Sequence, residues 1–257
     1  ANEIANGSDL SKRINLGEGG DEIFKLASTV DSMLETIQRD FEREKQFTND
    51  ASHELRTPVS IIMAQSELAL DSKASDNDRI EALESINRQS HRVNKLLAEL
   101  LNLARSDNGK TVLEKESFDL TELAEMVIEE KSAFAEAKSI SLRLVSNEPV
   151  MVVADQTLLM RVLINLITNS VKYGKEGGLT EVSVERKGEN GAVCRVKDNG
   201  IGISKEDIDK VWNRFFRADT ARTFDENGSF GLGLPMVKSI VEAHGGTVKA
   251  ESVLGEG

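Results

Sequence analysis

The chain has 257 residues, a formal net charge of -12 at pH 7 and one cysteine, Cys194. Its length and its 39% hydrophobic content are enough for one or two domains with buried cores. The acidic balance argues against binding to a nucleic-acid backbone, because that binding needs clustered lysine and arginine. A single cysteine excludes a disulfide framework within the chain and fits a reducing compartment, with Cys194 as a small core residue.

Both ends of the chain look like cut positions. The chain opens in a polar stretch without an initiator methionine and stops at Gly257 directly after a short segment that begins at Leu254. We therefore expect it to be part of a longer protein. No apolar run approaches the length that crosses a bilayer, and no signal peptide is visible, so the chain itself is expected to be soluble.

A coiled-coil seam is predicted near the start of the chain, where apolar residues alternate three and four apart. These residues are Ile23, Leu26, Val30, Met33 and Ile37. The next seam residue, Phe41, is followed by others at intervals of seven, and this change of register is called a stutter. We expect the packing between Ile37 and Phe41 to respond to an upstream signal. A single irregular helix is the alternative.

The stretch from Phe47 to Pro58 reads FTNDASHELRTP. On a helix, His53 has polar residues three and four positions away and is therefore expected to face solvent. Glu54 follows directly, and a carboxylate that holds the proton of one ring nitrogen makes the other a better nucleophile. This pattern favours a covalent phosphoryl acceptor over an inert surface histidine. A zinc site is excluded, because Thr57 replaces the second histidine of H-E-x-x-H.

A second helix is predicted after a polar turn at Asp71 to Asp78, in which Ser75 and Asp78 form a helix-start pattern. Its expected apolar face consists of Ile80, Leu83, Ile86, Val93, Leu97, Leu100 and Ala104. Two helices cannot enclose a core by themselves, so the hairpin is expected to pair with a second copy in a four-helix bundle. The sequence SDNGK, from Ser106 to Lys110, then predicts a domain boundary.

Beyond this boundary the pattern is mixed and predicts a layer of helices on a mostly antiparallel sheet. Strands are expected near Val112 to Phe118, Ile140 to Val145, Val150 to Val153, Val182 to Arg186, Val193 to Lys197 and from Thr247, and helices at Leu120 to Ala137, Gln156 to Tyr173 and Leu232 to Ala243. Asp155 is the expected N-cap of the middle helix, and Glu189-Asn190-Gly191 is the expected hairpin turn.

Four stretches of this second half have patterns that suit nucleotide binding. The first lies on the middle helix, where Asn165, Asn169, Lys172 and Tyr173 recur at three- and four-residue spacing. Asparagine is a poor helix former, so two of them four apart need a reason. A neutral oxygen ligand for a magnesium ion that bridges phosphates is one such reason. A solvated polar face is the alternative.

The second stretch, Asp198 to Gly202, reads DNGIG after a strand. A carboxylate at this place can accept a hydrogen bond from an exocyclic amino group, and the glycines Gly200 and Gly202 let the backbone approach a flat base. A plain tight turn is the alternative.

The third stretch, Val211 to Arg217, combines aromatic and cationic side chains before a polar segment, Ala218 to Asn227, that is expected to be a mobile lid. For Phe215 a place in the core is the alternative. The fourth stretch, Gly228 to Leu234, reads GSFGLGL and leads into a helix, whose free amides and dipole favour phosphate. It is not a Walker A loop, because no Gly-Lys-Ser/Thr follows. A glycine-rich loop that merely starts a helix is the alternative.

FTNDASHELRTP resembles the H-box of the sensor histidine kinases of two-component systems. The four later stretches resemble, in the family's order, the N, G1, F and G2 boxes of the catalytic domain, whose fold is shared with DNA gyrase, the ninety-kilodalton heat-shock chaperones and mismatch-repair ATPases. The opening stretch, with Leu16-Gly17 and Asp21-Glu22, resembles the second half of a HAMP domain. The resemblance implies an α-helical hairpin that forms a dimeric four-helix bundle, followed by an α/β sandwich of the Bergerat (GHKL) ATP-binding type.

The resemblance also implies a role for each matching residue. His53 would be phosphorylated, Glu54 would be the general base, and Thr57 would help to hydrolyse the phosphoryl group on the partner response regulator. The implied nucleotide-binding set is Asn169 as the magnesium ligand, Asn165 in its support, Lys172 and Tyr173 at phosphates or ribose, Asp198 at adenine, Gly200, Gly202, Gly231 and Gly233 as pocket-shaping glycines, and Phe216, Leu232 and Arg217, the last at the terminal phosphate. One departure is Ser229, where the family often has glycine.

The implied function is that of an ATP-dependent protein-histidine kinase that uses ATP and Mg²⁺, acts as a homodimer and transfers phosphate to the receiver domain of a response regulator. It would be the cytoplasmic portion of a bacterial plasma-membrane sensor. The implied domains are residues 1–44 for half a HAMP domain and a linker, 45–108 for dimerisation and phosphotransfer, and 109–257 for catalysis. A clamp-type ATPase should lack the H-box hairpin, and a scaffold without catalysis should have lost Asn169 or Asp198. Both residues are present.

Overall fold

The computed structural model describes residues 14, 22–107, 113–146, 148–188, 191–218 and 229–257. In chain order its elements are α1 (Glu22–Leu70), α2 (Asp76–Asp107), β1 (Glu116–Asp119), α3 (Leu120–Glu136), β2 (Ser141–Leu144), β3 (Met151–Ala154), α4 (Gln156–Tyr173), β4 (Leu179–Lys187), β5 (Gly191–Asp198), a 3-10 turn (Lys210–Trp212) and α5 (Gly233–Ala243). A helical hairpin is thus followed by an α/β domain, as predicted. The expected HAMP connector, most of the expected lid and the glycine at 228 lie outside the described residues.

The hairpin consists of the 49-residue helix α1, which contains Pro58, and the 32-residue helix α2. The predicted start of α2 is confirmed. The Asp78 backbone N–H donates to Ser75 Oγ at 3.2 Å, and the Ser75 N–H donates to Asp78 Oδ2 at 3.0 Å. This reciprocal pair is a capping box, with aspartate in place of the usual glutamate. The hydrogen bonds from Ser75 lower the pKa of the Asp78 carboxyl.

The apolar residues of α2 occupy two faces, so the predicted single face was incomplete. Ile80, Leu83 and Leu97 from the predicted set are 55%, 59% and 43% exposed. Three residues outside that set, spaced by seven or fourteen, are buried instead: Ala82, Leu96 and Leu103. Helix α1 likewise leaves seam residues in solvent, among them Ile23, Leu26, Met33, Ile37 and Phe41. None of the helices within the described ranges is long and apolar enough to cross a membrane.

The strands of the second domain form two small sheets. β1 pairs antiparallel with β3, and a three-stranded sheet has the order β2-β4-β5, in which β2 runs parallel and β5 antiparallel to β4. The prediction of a mostly antiparallel sheet is confirmed by two of these three pairings. The predicted hairpin is confirmed by the β4–β5 pair, in which Lys187 lies opposite Gly191, although Glu189 and Asn190 lie outside the described residues.

The predicted strand from Thr247 was wrong. Residues 246–253 belong to no strand. The polar groups of this segment bond elsewhere, since Ser252 Oγ accepts from the Ile203 N–H at 2.8 Å and the Val253 N–H donates to Gly257 O at 2.8 Å. The alternating apolar pattern therefore lies against the loop after β5 rather than at a sheet edge.

Helices α3 and α4 pack on the strands around a core that includes Leu123, Val127, Leu163, Ile167, Val171 and Val182. The predicted cap of α4 is confirmed, because Asp155 accepts from the Leu158 N–H at 3.0 Å. Cys194 packs against this core as predicted, and burial raises the pKa of its thiol to about 12. Helix α5 packs on α4 through Val162 and Met236.

A separate apolar cluster joins the two halves of the chain. It contains Leu96 and Leu103 of α2 and Phe230 and Leu232 of the loop before α5, with Phe47, Leu55, Leu100 and Phe215 packed against them. We call it the interdomain cluster. Because the glycine-rich loop supplies two of its buried members, the helical hairpin and the predicted nucleotide site are in direct contact.

Candidate active site

His53 is exposed on α1, as its polar neighbours predicted. Within the described part of the chain, Glu54 makes no hydrogen bond with the His53 ring. Its carboxylate Oε2 instead lies 3.8 Å from Arg92 NH2 of α2. The Thr57 hydroxyl donates to the backbone oxygen of His53 at 3.5 Å. Arg92 was not predicted, because no spacing along the chain reveals which residues of two antiparallel helices meet.

His53 and Glu54 line a cleft of about 550 Å³ between α1 and the second domain. The opposite wall includes Arg214, Phe216 and Arg217 of the third predicted stretch, together with Lys210 just before it. The cleft thus brings two predicted nucleotide contacts and the exposed imidazole together. Three basic side chains, those of Lys210, Arg214 and Arg217, share it with the acidic side chains of Asp50, Glu54 and Asp207.

The two asparagines of α4 face the start of α5. A Cβ atom added at Gly233 would lie 2.9 Å from Asn165 Oδ1 and 3.8 Å from Asn169 Nδ2. The first distance is shorter than normal Cβ contacts, so a larger residue at Gly233 would displace the Asn165 side chain. The Asn165 amide also donates to the Arg161 backbone oxygen at 2.9 Å. The structure therefore brings Asn165, Asn169 and the glycine-rich loop together.

Ser229, the departure noted in the sequence, contacts the other two predicted residues of α4. Lys172 Nζ donates to Ser229 Oγ at 2.7 Å, and the hydroxyls of Tyr173 and Ser229 are 3.1 Å apart. The Lys172 ammonium also lies 5.3 Å from the centre of the Tyr173 ring. Side-chain hydrogen bonds thus hold the glycine-rich loop against the C-terminal end of α4. A glycine at position 229 could not make them.

Asp198 ends β5 and begins a tight turn against α4. Its Oδ1 accepts from the Gly200 N–H at 2.9 Å, and the Ile201 N–H donates to Tyr173 O at 3.0 Å. A Cβ atom at Gly200 would lie 2.4 Å from Tyr173 O, so no larger residue fits. Gly202 has a φ of 66° and lies against the Val253 carbonyl. The Asp198 turn and the glycine-rich loop therefore both contact α4.

Phe215 connects the third predicted stretch, Val211 to Arg217, to the glycine-rich loop by a backbone hydrogen bond. Its N–H donates to Gly231 O at 3.1 Å, and its φ of 60° is rare for a bulky residue and strained. Its ring centre lies 5.9 Å from that of Phe47 on α1. Phe215 therefore occupies a core position, as the alternative interpretation expected. This core is the interdomain cluster.

The residues around α4 fit a nucleotide with magnesium. Among the described residues, no group of three or more His, Cys, Asp or Glu side chains is arranged to hold a metal. Magnesium that bridges phosphates keeps several waters and takes only one or two protein ligands. The side-chain oxygens of Asn165 and Asn169 beside a glycine cradle can supply such ligands, and the start of α5 can supply amide donors for phosphate.

An exposed histidine on a helical hairpin thus faces an α/β domain whose glycine-rich loop and paired asparagines fit a nucleotide. Family models match the same two parts of the chain and its first residues. The HAMP domain model matches residues 1–39, the His Kinase A (phospho-acceptor) domain model matches residues 43–109, and the model of the histidine kinase-, DNA gyrase B- and HSP90-like ATPase matches residues 154–257.

Individual proteins are similar over most of the chain. The sensor protein CutS of Streptomyces coelicolor is 37% identical over 253 residues, which cover 98% of this chain and 60% of CutS. The solved structure of the histidine kinase AdeS of Acinetobacter baumannii has a TM-score of 0.61 at 25% identity and covers 79% of this chain and 92% of that one. The chain belongs to the sensor histidine kinases of two-component systems.

A third likeness is one of fold. The crystal structure of the histidine kinase ThkA in complex with the response regulator protein TrrA has a TM-score of 0.62 at 21% identity, covering 82% of this chain and 60% of that one.

Proposed function

We propose that this chain is the kinase portion of a sensor protein, which binds ATP with Mg²⁺, receives the terminal phosphoryl group on His53 and passes it to an aspartate of a response regulator. The observation that carries the proposal is the cleft in which His53 and Glu54 face Phe216 and Arg217. In it a phosphoacceptor meets the domain that would hold the donor.

The nucleotide-binding roles follow from the positions around α4. Asn169 would ligate the metal with Asn165 in support, and Lys172 and Tyr173 would exchange their bonds with Ser229 for bonds to phosphate or ribose. Asp198 would accept from the adenine amino group. The glycines of both loops let the backbone approach the ligand. When bound, ATP supplies the phosphoryl group and Mg²⁺ neutralises its charge.

The chemistry asked of the protein is mainly positioning and charge neutralisation. A ring nitrogen of His53 forms the new bond to phosphorus as the bond to the ADP oxygen breaks. Glu54 orients the imidazole and holds the proton of the other nitrogen, and Arg217 offsets the charge of the terminal phosphate. Because Glu54 contacts Arg92 in the described arrangement, this orientation requires a side-chain rotation at Glu54.

We further propose that the protein acts as a homodimer and that residues 45–108 form the dimerisation and phosphotransfer unit, preceded by a HAMP half and linker at 1–44 and followed by a catalytic unit at 109–257. The exposed seams of α1 and α2, which include Ile37, Phe41, Ile80 and Leu83, support pairing in a four-helix bundle. Such a bundle would cover apolar surface that one hairpin leaves in water.

Two finer activities belong to the same proposal. A response regulator would dock on the hairpin near His53, and ThkA, which has a similar fold, forms a complex with the response regulator protein TrrA. Thr57, one turn after His53, would serve hydrolysis of the phosphorylated regulator.

The match of the HAMP model to the first residues supports a membrane-anchored full-length protein with this portion on the cytoplasmic side.

Labelling from radioactive ATP tests the proposal. His53→Gln should abolish labelling and leave the binding of a fluorescent ATP analogue unchanged. His91→Gln is the matched control, because His91 is also exposed but lies on α2, and it should be labelled like the unaltered chain. Acid-labile phosphate that persists in His53→Gln would refute the assignment.

A further inference from the structure

We infer that Arg92 is a positioning residue for the phosphotransfer, which fixes Glu54 and connects it to Phe230 of the glycine-rich loop. The inference rests on the proposed function, because it takes Glu54 to act on His53. Nothing in the local sequence around Arg92 singles it out. Its role follows from the two groups that it contacts at once.

Arg92 reaches both halves of the site. Its NH2 atom lies 3.8 Å from Glu54 Oε2, and its guanidinium carbon lies 5.4 Å from the centre of the Phe230 ring. The first contact is an ion pair and the second has the geometry of a cation–π interaction. The Arg92 guanidinium therefore connects Glu54, which is next to the proposed phosphoacceptor, to Phe230 of the glycine-rich loop.

Phe230 cannot move independently of the nucleotide site. It is 1% exposed and packs in the interdomain cluster with Leu96 and Leu103. The residue before it, Ser229, is bonded to Lys172 and Tyr173. A nucleotide that displaces Ser229 from these side chains would shift the loop and with it the ring under Arg92. Arg92 would move with the ring and bring Glu54, still paired with it, toward the imidazole.

The surroundings of Arg92 argue against a purely stabilising role. Its Nε atom is buried and has no hydrogen-bond partner in the part of the chain that the structure describes. A buried donor without a partner is costly and uncommon in native proteins. A rearrangement of its neighbours on nucleotide binding would let this donor find a partner.

Three variants test the inference: Arg92→Gln, which removes the charge, Arg92→Lys, which keeps it, and Glu54→Gln. Arg88→Gln is the matched control, because Arg88 lies one turn earlier on α2 in an exposed pair with Glu84 at 3.7 Å. Each variant is first checked for folding by thermal unfolding and for nucleotide affinity with a fluorescent ATP analogue. The rate of labelling is then measured over a range of ATP concentrations.

We expect Arg92→Gln to lower the maximal labelling rate by roughly tenfold, a part of the 10²–10⁴-fold that a positioned general base supplies, with the KM for ATP unchanged. Arg92→Lys should recover part of the rate and Arg88→Gln should match the unaltered chain.

The decisive comparison is the double variant Arg92→Gln/Glu54→Gln. If Arg92 acts through Glu54, the double variant should be no slower than Glu54→Gln alone. If the loss of rate in the double variant equals the product of the losses in the two single variants, the inference is overturned. It is also overturned if Arg92→Gln is labelled as fast as the Arg88→Gln control. Either result leaves the kinase proposal intact. Absence of labelling in the unaltered chain would instead contradict the kinase proposal itself.

Discussion

The contact between the two domains leads to a sharp prediction at Phe230. Its ring is 1% exposed and belongs to the interdomain cluster rather than to the core of either domain. Removal of a buried phenylalanine side chain typically costs about 3–5 kcal/mol. Because the ring lies between domains, Phe230→Ala should weaken their docking and leave the folding of the α/β core largely unchanged. A loss of about 3 kcal/mol raises the undocked fraction by more than about a hundredfold.

Small-angle X-ray scattering without nucleotide can measure docking, and calorimetry can follow unfolding of the α/β domain. Phe230→Ala should broaden the distribution of interatomic distances while the unfolding temperature of that domain changes little. Phe134→Ala is the matched control, since Phe134 is 39% exposed on α3 and has Lys138 at 6.0 Å from its ring centre. If both variants scatter like the unaltered chain, the interdomain cluster does not hold the domains together in solution.

Three further results are expected. Burial raises the pKa of the Glu99 carboxyl, with Lys95 and Lys172 acting in the opposite direction; the folded chain therefore holds this proton more tightly than the unfolded chain. Its contribution to stability is present below the ordinary carboxyl range and is lost as pH rises through the raised pKa. Denaturation at several pH values should show Glu99→Gln to be more stable than the unaltered chain at pH 7, and equal stabilities would contradict this. Cys194 is half-buried and burial raises the pKa of its thiol to about 12, so it should react with a thiol reagent more slowly in the native chain than after denaturation; equal rates would contradict this. Ser229→Ala should bind ATP more tightly, by about tenfold or more for the loss of two competing hydrogen bonds, those with Lys172 and Tyr173; weaker binding in a nucleotide titration would mean that the Ser229 hydroxyl contacts the ligand.

Local signals along the chain predicted the elements well. Ser75 with Asp78 and Asp155 before α4 were readable because a cap and its partner are at most three residues apart. The polar surroundings of His53 predicted its exposure for the same reason. In contrast, the strand expected from Thr247 did not form, because the partners of that segment lie in the loop after β5.

Contacts between distant segments could not be predicted. Arg92 meets Glu54 only because α2 folds back along α1, and Phe230 meets Leu96 only because the domains dock. The two apolar faces of α2 likewise look like one face until the neighbours of each residue are known. Ser229 was recognised as a departure from the family pattern, but its bonds to Lys172 and Tyr173 depend on the fold.

The central claim is that the imidazole of His53 receives the phosphoryl group of ATP. Tandem mass spectrometry of the chain after incubation with ATP and Mg²⁺, with digestion kept at alkaline pH, tests it most directly. We expect a phosphoryl group on the peptide that contains His53, assigned to the imidazole and lost on acid treatment. An acid-stable phosphate, or one assigned to any other residue, would contradict it.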